Sequence, residues 1–77
     1  MGWVSPNDML KAAKEHMLEG REPESREDWM LIMNFFAANV DSGSAEPACQ
    51  LMCAIYDMPL SKVEVKEIVR FQLAQLN

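Results

Sequence analysis

The sequence is short of basic residues. It has seven Lys and Arg against twelve Asp and Glu, which gives a formal net charge of −5 and a pI near 4.6. Phosphate backbones and anionic lipid surfaces attract proteins with the opposite charge balance. The composition therefore disfavours unaided binding to nucleic acid or to a membrane surface.

Long apolar runs are also missing. The stretch densest in apolar residues, 29–40, is twelve residues long and includes Asn34 and Asn39, whereas a membrane-spanning helix needs about 20 residues. The first residues have neither the basic segment nor the apolar segment of a secretory signal. The sequence thus predicts no membrane span, no signal peptide and a cytoplasmic location.

Residues that supply catalytic or metal chemistry are few. Cys49 and Cys53 are the two cysteines, and His16 is the one histidine. The cysteine pair has the i, i+4 spacing of two zinc ligands, but no second pair completes a four-ligand site. Small buried hydrophobic residues are the simpler interpretation of both cysteines. No acid–base pair or activated nucleophile is evident, so we expect no enzyme, no cofactor and no metal.

Strand signals are absent, whereas signals for the start and end of helices are frequent. No stretch alternates strictly between polar and apolar residues over the length of a strand. Ser5, Pro6 and Asp8 have the pattern of an N-cap, a proline in the first turn and an acid near the positive end of the dipole. Gly20 predicts the end of this first helix. The charged segment that follows, 21–25, is expected to be a solvated connection.

Three further serines predict the starts of three more helices. Ser25 and Asp28 form a weak capping box, Ser44 is expected to cap the third helix, and Ser61 with Glu64 forms a complete capping box. The predicted helices are about 6–19, 26–40, 45–57 and 62–76. We therefore expect one all-α domain, residues 1–77, in which four helices form a compact bundle or an orthogonal array.

The second and third predicted helices are unusually apolar. The second has only Asn34 and Asn39 among the apolar residues after Asp28, and the third has a thin polar strip of Gln50 and Asp57. Two interpretations remain open. Uncovered apolar surface normally marks an interface, whereas a central helix would bury every one of these residues within the domain.

If the surplus apolar surface is uncovered, another chain must cover it. We expect either another protein or a second copy in a symmetric dimer. Large residues of the two apolar helices are the candidates for the contact, because aromatic and Met side chains supply much of the binding energy at interfaces. These candidates are Trp29, Phe35, Met52 and Tyr56. The predicted function is that of a small acidic interaction module, an adaptor, subunit or inhibitor.

The alternative function is that of a helix-turn-helix transcriptional regulator using residues 48–72. Lys62, Lys66 and Arg70 are spaced i, i+4, i+8 and form a basic stripe, with Val63 beside them, that could meet an anionic partner. Glu64 and Glu67 lie on the same helix and reduce its positive field. The turn between the two helices also lacks the glycine that is usual there.

Overall fold

The computed structural model describes residues 5–75, and in this range the chain forms four α-helices and one short 3₁₀ turn. The elements are α1 (Pro6–Leu18), α2 (Arg26–Asn39), a 3₁₀ turn (Ser42–Ser44), α3 (Ala45–Ile55) and α4 (Lys62–Gln75). The predicted all-α, four-helix fold is confirmed. The predicted end of the fourth helix, residue 76, lies outside the described residues.

Helix α1 begins where the capping signals place it. The Ser5 hydroxyl accepts a hydrogen bond from the backbone N–H of Asp8 at 3.2 Å, and Pro6 is the first helical residue. The helix ends at Leu18, one residue before the predicted end, because both Glu19 and Gly20 adopt a positive φ, 54° and 88°. Glycine enters this left-handed region without the steric cost that a Cβ imposes.

An ion pair ties the connection between α1 and α2 to the start of α2. The Arg21 guanidinium donates to both carboxylate oxygens of Asp28, at 2.8 and 2.9 Å, and the Glu24 N–H donates to the same carboxylate at 2.9 Å. The guanidinium first, and then the Glu24 N–H, lower the pKa of Asp28 to about 2. The connection is exposed, as expected, but Asp28 is itself buried and holds it in place.

Helix α3 begins at Ala45, as predicted, but differs from the prediction in its cap and in its end. Ser44 makes no side-chain capping bond, contrary to expectation. Its hydroxyl and its N–H both donate backwards to the Asp41 carbonyl, at 3.5 and 3.0 Å, and so close the preceding 3₁₀ turn. The helix ends at Ile55, two residues early. Asp57 adopts a positive φ of 50°, and the Met58 N–H donates to the Cys53 carbonyl at 2.9 Å. This Schellman-type ending turns the chain so that Met58 is buried.

Helix α4 starts with the predicted capping box. The Ser61 N–H donates to Glu64 Oε1 at 2.8 Å, and the Glu64 N–H donates back to Ser61 Oγ at 3.1 Å. Two otherwise unsatisfied donors at the helix start are thus paired. Glu64 also pairs through its other carboxylate oxygen with Arg26, which joins α4 to the first turn of α2.

Helix α2 is the central element. It packs against α1, α3 and α4, whereas α1 packs mainly on α2, and α3 packs on α4 and α2. Ile32, Met33 and Phe36 are completely buried and meet buried residues of all three neighbours. The interpretation of the second helix as the core of the domain is therefore largely correct, with Leu31 and Ala38 the apolar residues that it leaves exposed.

Candidate functional site

The outward side of α3 is an apolar surface. We call it the α3 face; it consists of Pro47, Ala48, Leu51, Ala54 and Ile55. Leu51 and Ile55, one helical turn apart, are 60% and 50% exposed. The sequence has no charged residue between Glu46 and Asp57. The α3 face thus presents large side chains to solvent with no charge among them.

The orientation of α3 follows from how its polar side chain is used. Gln50, in the predicted polar strip of the helix, is half-buried, and its Nε2 donates to the carbonyl of Lys62 at 2.9 Å. This bond links α3 to the first residue of α4. Ala45, Cys49 and Met52 fill the core on the inward side. Leu51 and Ile55 are consequently left on the outside.

A groove runs along one edge of the α3 face. It lies where α1 begins and α2 ends, and its volume is about 240 Å³. Small-molecule sites usually measure roughly 300–1,000 Å³, so the groove suits a single side chain better than a cofactor. It is lined mostly by apolar residues: Ser5, Pro6, Met9, Val40, Ala48, Leu51 and Met52.

A second groove, between α2 and α4, has a more polar character. Its volume is about 270 Å³, and its rim includes Phe71, which is 60% exposed, together with Glu64 and Glu67. The Gln72 side chain donates to Asn34 Oδ1 at 2.8 Å across the same helix pair. Carboxylates and a hydrogen-bonded amide pair therefore interrupt the apolar surface here, in contrast to the α3 face.

A larger cavity, of about 400 Å³, lies along α1 and the connection after it. Lys14 Nζ and Glu22 Oε1 approach to 2.8 Å, and both residues line this cavity. Lys11 and Glu15 add one charge of each sign to the lining. Its charges are therefore balanced, and it has no particular preference for an anion or a cation.

The four large residues predicted for partner binding are less accessible than Leu51. Met52 is 5% exposed and belongs to the core. Tyr56 is half-buried, and its hydroxyl lies 2.6 Å from Asn7 Oδ1, to which it donates; burial raises its pKa. Trp29 and Phe35 are half-buried on α2, and the Phe35 ring stacks on His16 at 5.3 Å. Their role in binding stays a prediction.

Sequence reasoning missed Leu51 and Ile55 as binding candidates, although their spacing was available. The sequence showed a thin polar strip with apolar residues around the rest of the helix, and Met52 and Tyr56 were chosen from that set for their size. Met52 and Leu51 are adjacent in sequence, and about 100° of helical rotation separates neighbouring residues. That rotation places Met52 in the core and Leu51 on the surface.

The predicted basic stripe lies on the surface of α4. Lys62, Lys66 and Arg70 are all exposed, and Val63 beside them is 64% exposed. Glu67, also exposed, lies among them on the same helix. The arrangement is compatible with a solvated helix surface as well as with an anionic partner, and the helix-turn-helix function remains a prediction.

Both cysteines are packed inside the domain. Cys49 is completely buried, and burial raises the pKa of its thiol to about 11. Cys53 is half-buried, its Sγ lies 3.6 Å from the Leu60 carbonyl, and burial raises its pKa as well. Thiols of this kind are protonated at neutral pH and are poor nucleophiles and metal ligands.

The described part of the chain has neither a metal-ligand cluster nor a membrane-spanning helix. Within residues 5–75, no three His, Cys, Asp or Glu side chains come together around a point where one metal ion would sit. None of the helices in that range combines the length and the apolar character needed to cross a membrane.

Comparison with protein-family models, with curated proteins and with solved structures finds no match to this chain.

Proposed function

We propose that the protein is a non-enzymatic helical binding module that docks another protein on the α3 face. The single observation that carries this proposal is the exposure of Leu51 and Ile55 on a helix segment without charged residues. In binding, these side chains leave water, and the partner gains affinity from their burial. The module acts by occupying a surface, as an adaptor, subunit or inhibitor does.

The composition of the α3 face supports a protein partner. The buried centres of protein interfaces are depleted in charged residues, and their rims are polar. The α3 face has this pattern, since its exposed centre is aliphatic and Glu46 and Asp57 stand at its two ends. The adjoining groove adds a concave element into which a side chain of the partner can insert.

The groups with shifted pKa values support a structural rather than a catalytic role. Strongly shifted pKa values mark functional sites only when the groups lie in a cleft with a reactive partner. Here Asp28 holds Arg21, Cys49 packs in the core, and Tyr56 bonds Asn7. Each of these groups is thus engaged in a contact that stabilises the fold.

The test is to measure capture of partners from the native host by the wild-type protein and two variants. Leu51→Ser with Ile55→Ser removes the centre of the α3 face without changing the net charge. Val63→Ser, on α4, is the comparison variant, because Val63 is 64% exposed and belongs to the basic stripe of the alternative function. Loss of the partner in this variant alone would favour that alternative. Helix content measured by circular dichroism verifies that both variants fold.

We expect one protein to be retained by wild type and by Val63→Ser and lost by the double variant. With that partner purified, the double variant should bind at least about 30-fold more weakly, as interface hot spots do. Val63→Ser should bind within about threefold of wild type, since peripheral contacts contribute little. Equal affinity of all three proteins would contradict the proposal.

A further inference from the structure

We propose that the occupant of the α3 face is an amphipathic helix of another protein whose apolar stripe is flanked by basic residues. This inference rests on the proposed function and specifies the chemistry of the partner. It follows from two properties of the same surface, its shape and the charges around it.

The shape of the α3 face matches a helix. Leu51 and Ile55 are spaced i, i+4 and form a ridge, and the groove lined by Met9, Val40 and Ala48 lies at its edge. An amphipathic helix laid beside such a ridge presents its own apolar residues at i, i+3, i+4 and i+7. One of these residues can enter the groove while its neighbours cover Leu51 and Ile55.

The charges around the α3 face are mainly negative. Asp41 and Glu46 stand at its N-terminal end and Asp57 at its C-terminal end, and all three are exposed. The Asp41 side chain makes no capping bond. Lys62 lines a cavity together with Asp57 and offsets one of these charges. Lys14 lies near Tyr56 at the same end, but it is paired with Glu22. The excess is negative, in keeping with the net charge of −5 for the whole chain.

These charges disfavour a second copy as the occupant. If two α3 helices pack antiparallel, Glu46 of each copy approaches Asp57 of the other; if they pack parallel, like residues meet at both ends. Both arrangements bring carboxylates together with only Lys62 among the described residues to offset them, and like charges at an interface rim oppose association. A helix with Lys or Arg at its ends meets the same carboxylates with the opposite sign.

The test uses two synthetic amphipathic peptides of about 15 residues, long enough to lie along α3 at 3.6 residues per turn. Both carry the same Leu stripe at i, i+4 and i+7; one has Lys at both ends and the other has Glu. Affinity is measured by calorimetry, and the binding position is read from the methyl resonances of Leu51 and Ile55. The proteins are wild type and two doubly substituted variants.

The first variant, Glu46→Gln with Asp57→Asn, removes the charges at the ends of the α3 face. Asn tolerates the left-handed conformation of residue 57. The second, Glu15→Gln with Glu67→Gln, is the matched control, because it changes the net charge equally at exposed positions on α1 and α4. The two variants therefore separate local charge from total charge.

We expect wild type and the control to bind the Lys peptide at least about tenfold more tightly than the Glu peptide, with shifts of the Leu51 and Ile55 methyls. In the variant Glu46→Gln with Asp57→Asn, the preference for the Lys peptide over the Glu peptide should fall below about threefold. Added salt should also reduce this preference. Such a result supports a basic amphipathic helix as the occupant.

Three results would overturn the inference. The first is equal affinity for the two peptides at Leu51 and Ile55, which leaves the proposed function intact. The second is an equal loss of preference in both variants, which assigns the effect to total charge. The third is a dimer in sedimentation with concentration-dependent shifts at Leu51 and Ile55, which makes a second copy the occupant. Failure of the capture experiment, by contrast, refutes the proposed function itself.

Discussion

Helices α2 and α3 are similar in sequence and opposite in position. Both are rich in apolar residues and poor in charge after their first turns. Helix α2 has three helical neighbours and exposes only Leu31, at 41%, and Ala38 among its apolar residues, whereas α3 packs mainly on two helices and leaves Leu51 and Ile55 60% and 50% exposed. In a domain of four helices only one can occupy the centre. An apolar helix is therefore buried only where enough neighbours exist to cover it.

The two helices also differ in how their starts are held. Ser25 accepts the Asp28 N–H at 3.2 Å at the start of α2, and the Asp28 carboxylate holds Arg21 and the Glu24 N–H. The start of α3 has no side-chain capping bond. Helix α2 is thus fixed by packing and by polar contacts, and α3 is fixed at its start mainly by packing and by the Gln50 bond to Lys62.

The largest expected difference between the two helices is in the cost of truncating an isoleucine. Ile32→Ala in α2 should destabilise the fold by about 2–5 kcal/mol, because it leaves a cavity among fully packed side chains. Ile55→Ala in α3 should cost less than about 1 kcal/mol, since half of this side chain is already in water. Midpoints of urea unfolding, followed by circular dichroism, measure both values.

A domain of this size has only a few kcal/mol of stability in total, so Ile32→Ala is expected to be partly unfolded. Ile32→Val, which should cost about 0.5–1.5 kcal/mol, serves as the milder version. Its control is Ile55→Val, for which we expect almost no change. Equal costs at the two positions would mean that α3 is as well covered as α2.

A smaller effect is expected from acid. The pKa of Asp28 is lowered from 3.8 to about 2 in the folded protein. A carboxyl group whose pKa falls on folding stabilises the folded state above its unfolded pKa. This contribution should therefore be present above about pH 4 and decline as the pH falls toward 2. Acid should therefore weaken the contacts that Asp28 makes at the start of α2. Helix α3 has no part in these contacts and should not lose stability through them.

The measurement is urea unfolding between pH 6 and pH 2 for wild type, Asp28→Asn and Arg21→Gln. Both variants should be less stable than wild type near pH 6 and should lose less of their stability on acidification. Arg21→Gln tests the cause, because the guanidinium is the main reason for the low pKa. If Asp28→Asn lost as much stability between pH 6 and pH 2 as wild type does, the ionised Asp28 carboxylate would not be the cause of that loss.

Local signals in the sequence were sufficient for most of the fold. The capping bonds at Ser5 and at Ser61 with Glu64 join residues three apart in sequence. Whether these bonds form therefore depends little on the rest of the chain. The end of α3 was not predictable in this way. Asp57 takes its left-handed conformation because the turn buries Met58, and that burial depends on the packing of other helices.

The candidate site was less accessible to sequence reasoning than the fold. The apolar surplus and its placement on the second and third helices were evident, but not the direction in which α3 faces. That direction depends on the contact of Gln50 with the Lys62 carbonyl, twelve residues away along the chain. A polar side chain that bonds the start of a neighbouring helix lies on a side of its own helix that faces the protein. The polar side of such a helix therefore no longer indicates which side faces solvent.

The central claim is that α3 leaves the large side chains of Leu51 and Ile55 in solvent, whereas α2 buries Ile32 completely. The most direct measurement is the relaxation that a soluble gadolinium complex induces in methyl protons of the isolated protein, at concentrations from micromolar to millimolar. We predict strong relaxation of the Leu51 and Ile55 methyls and weak relaxation of the Ile32 methyls, unchanged by protein concentration. Leu51 and Ile55 methyls as protected as those of Ile32 at the lowest concentration would contradict the claim.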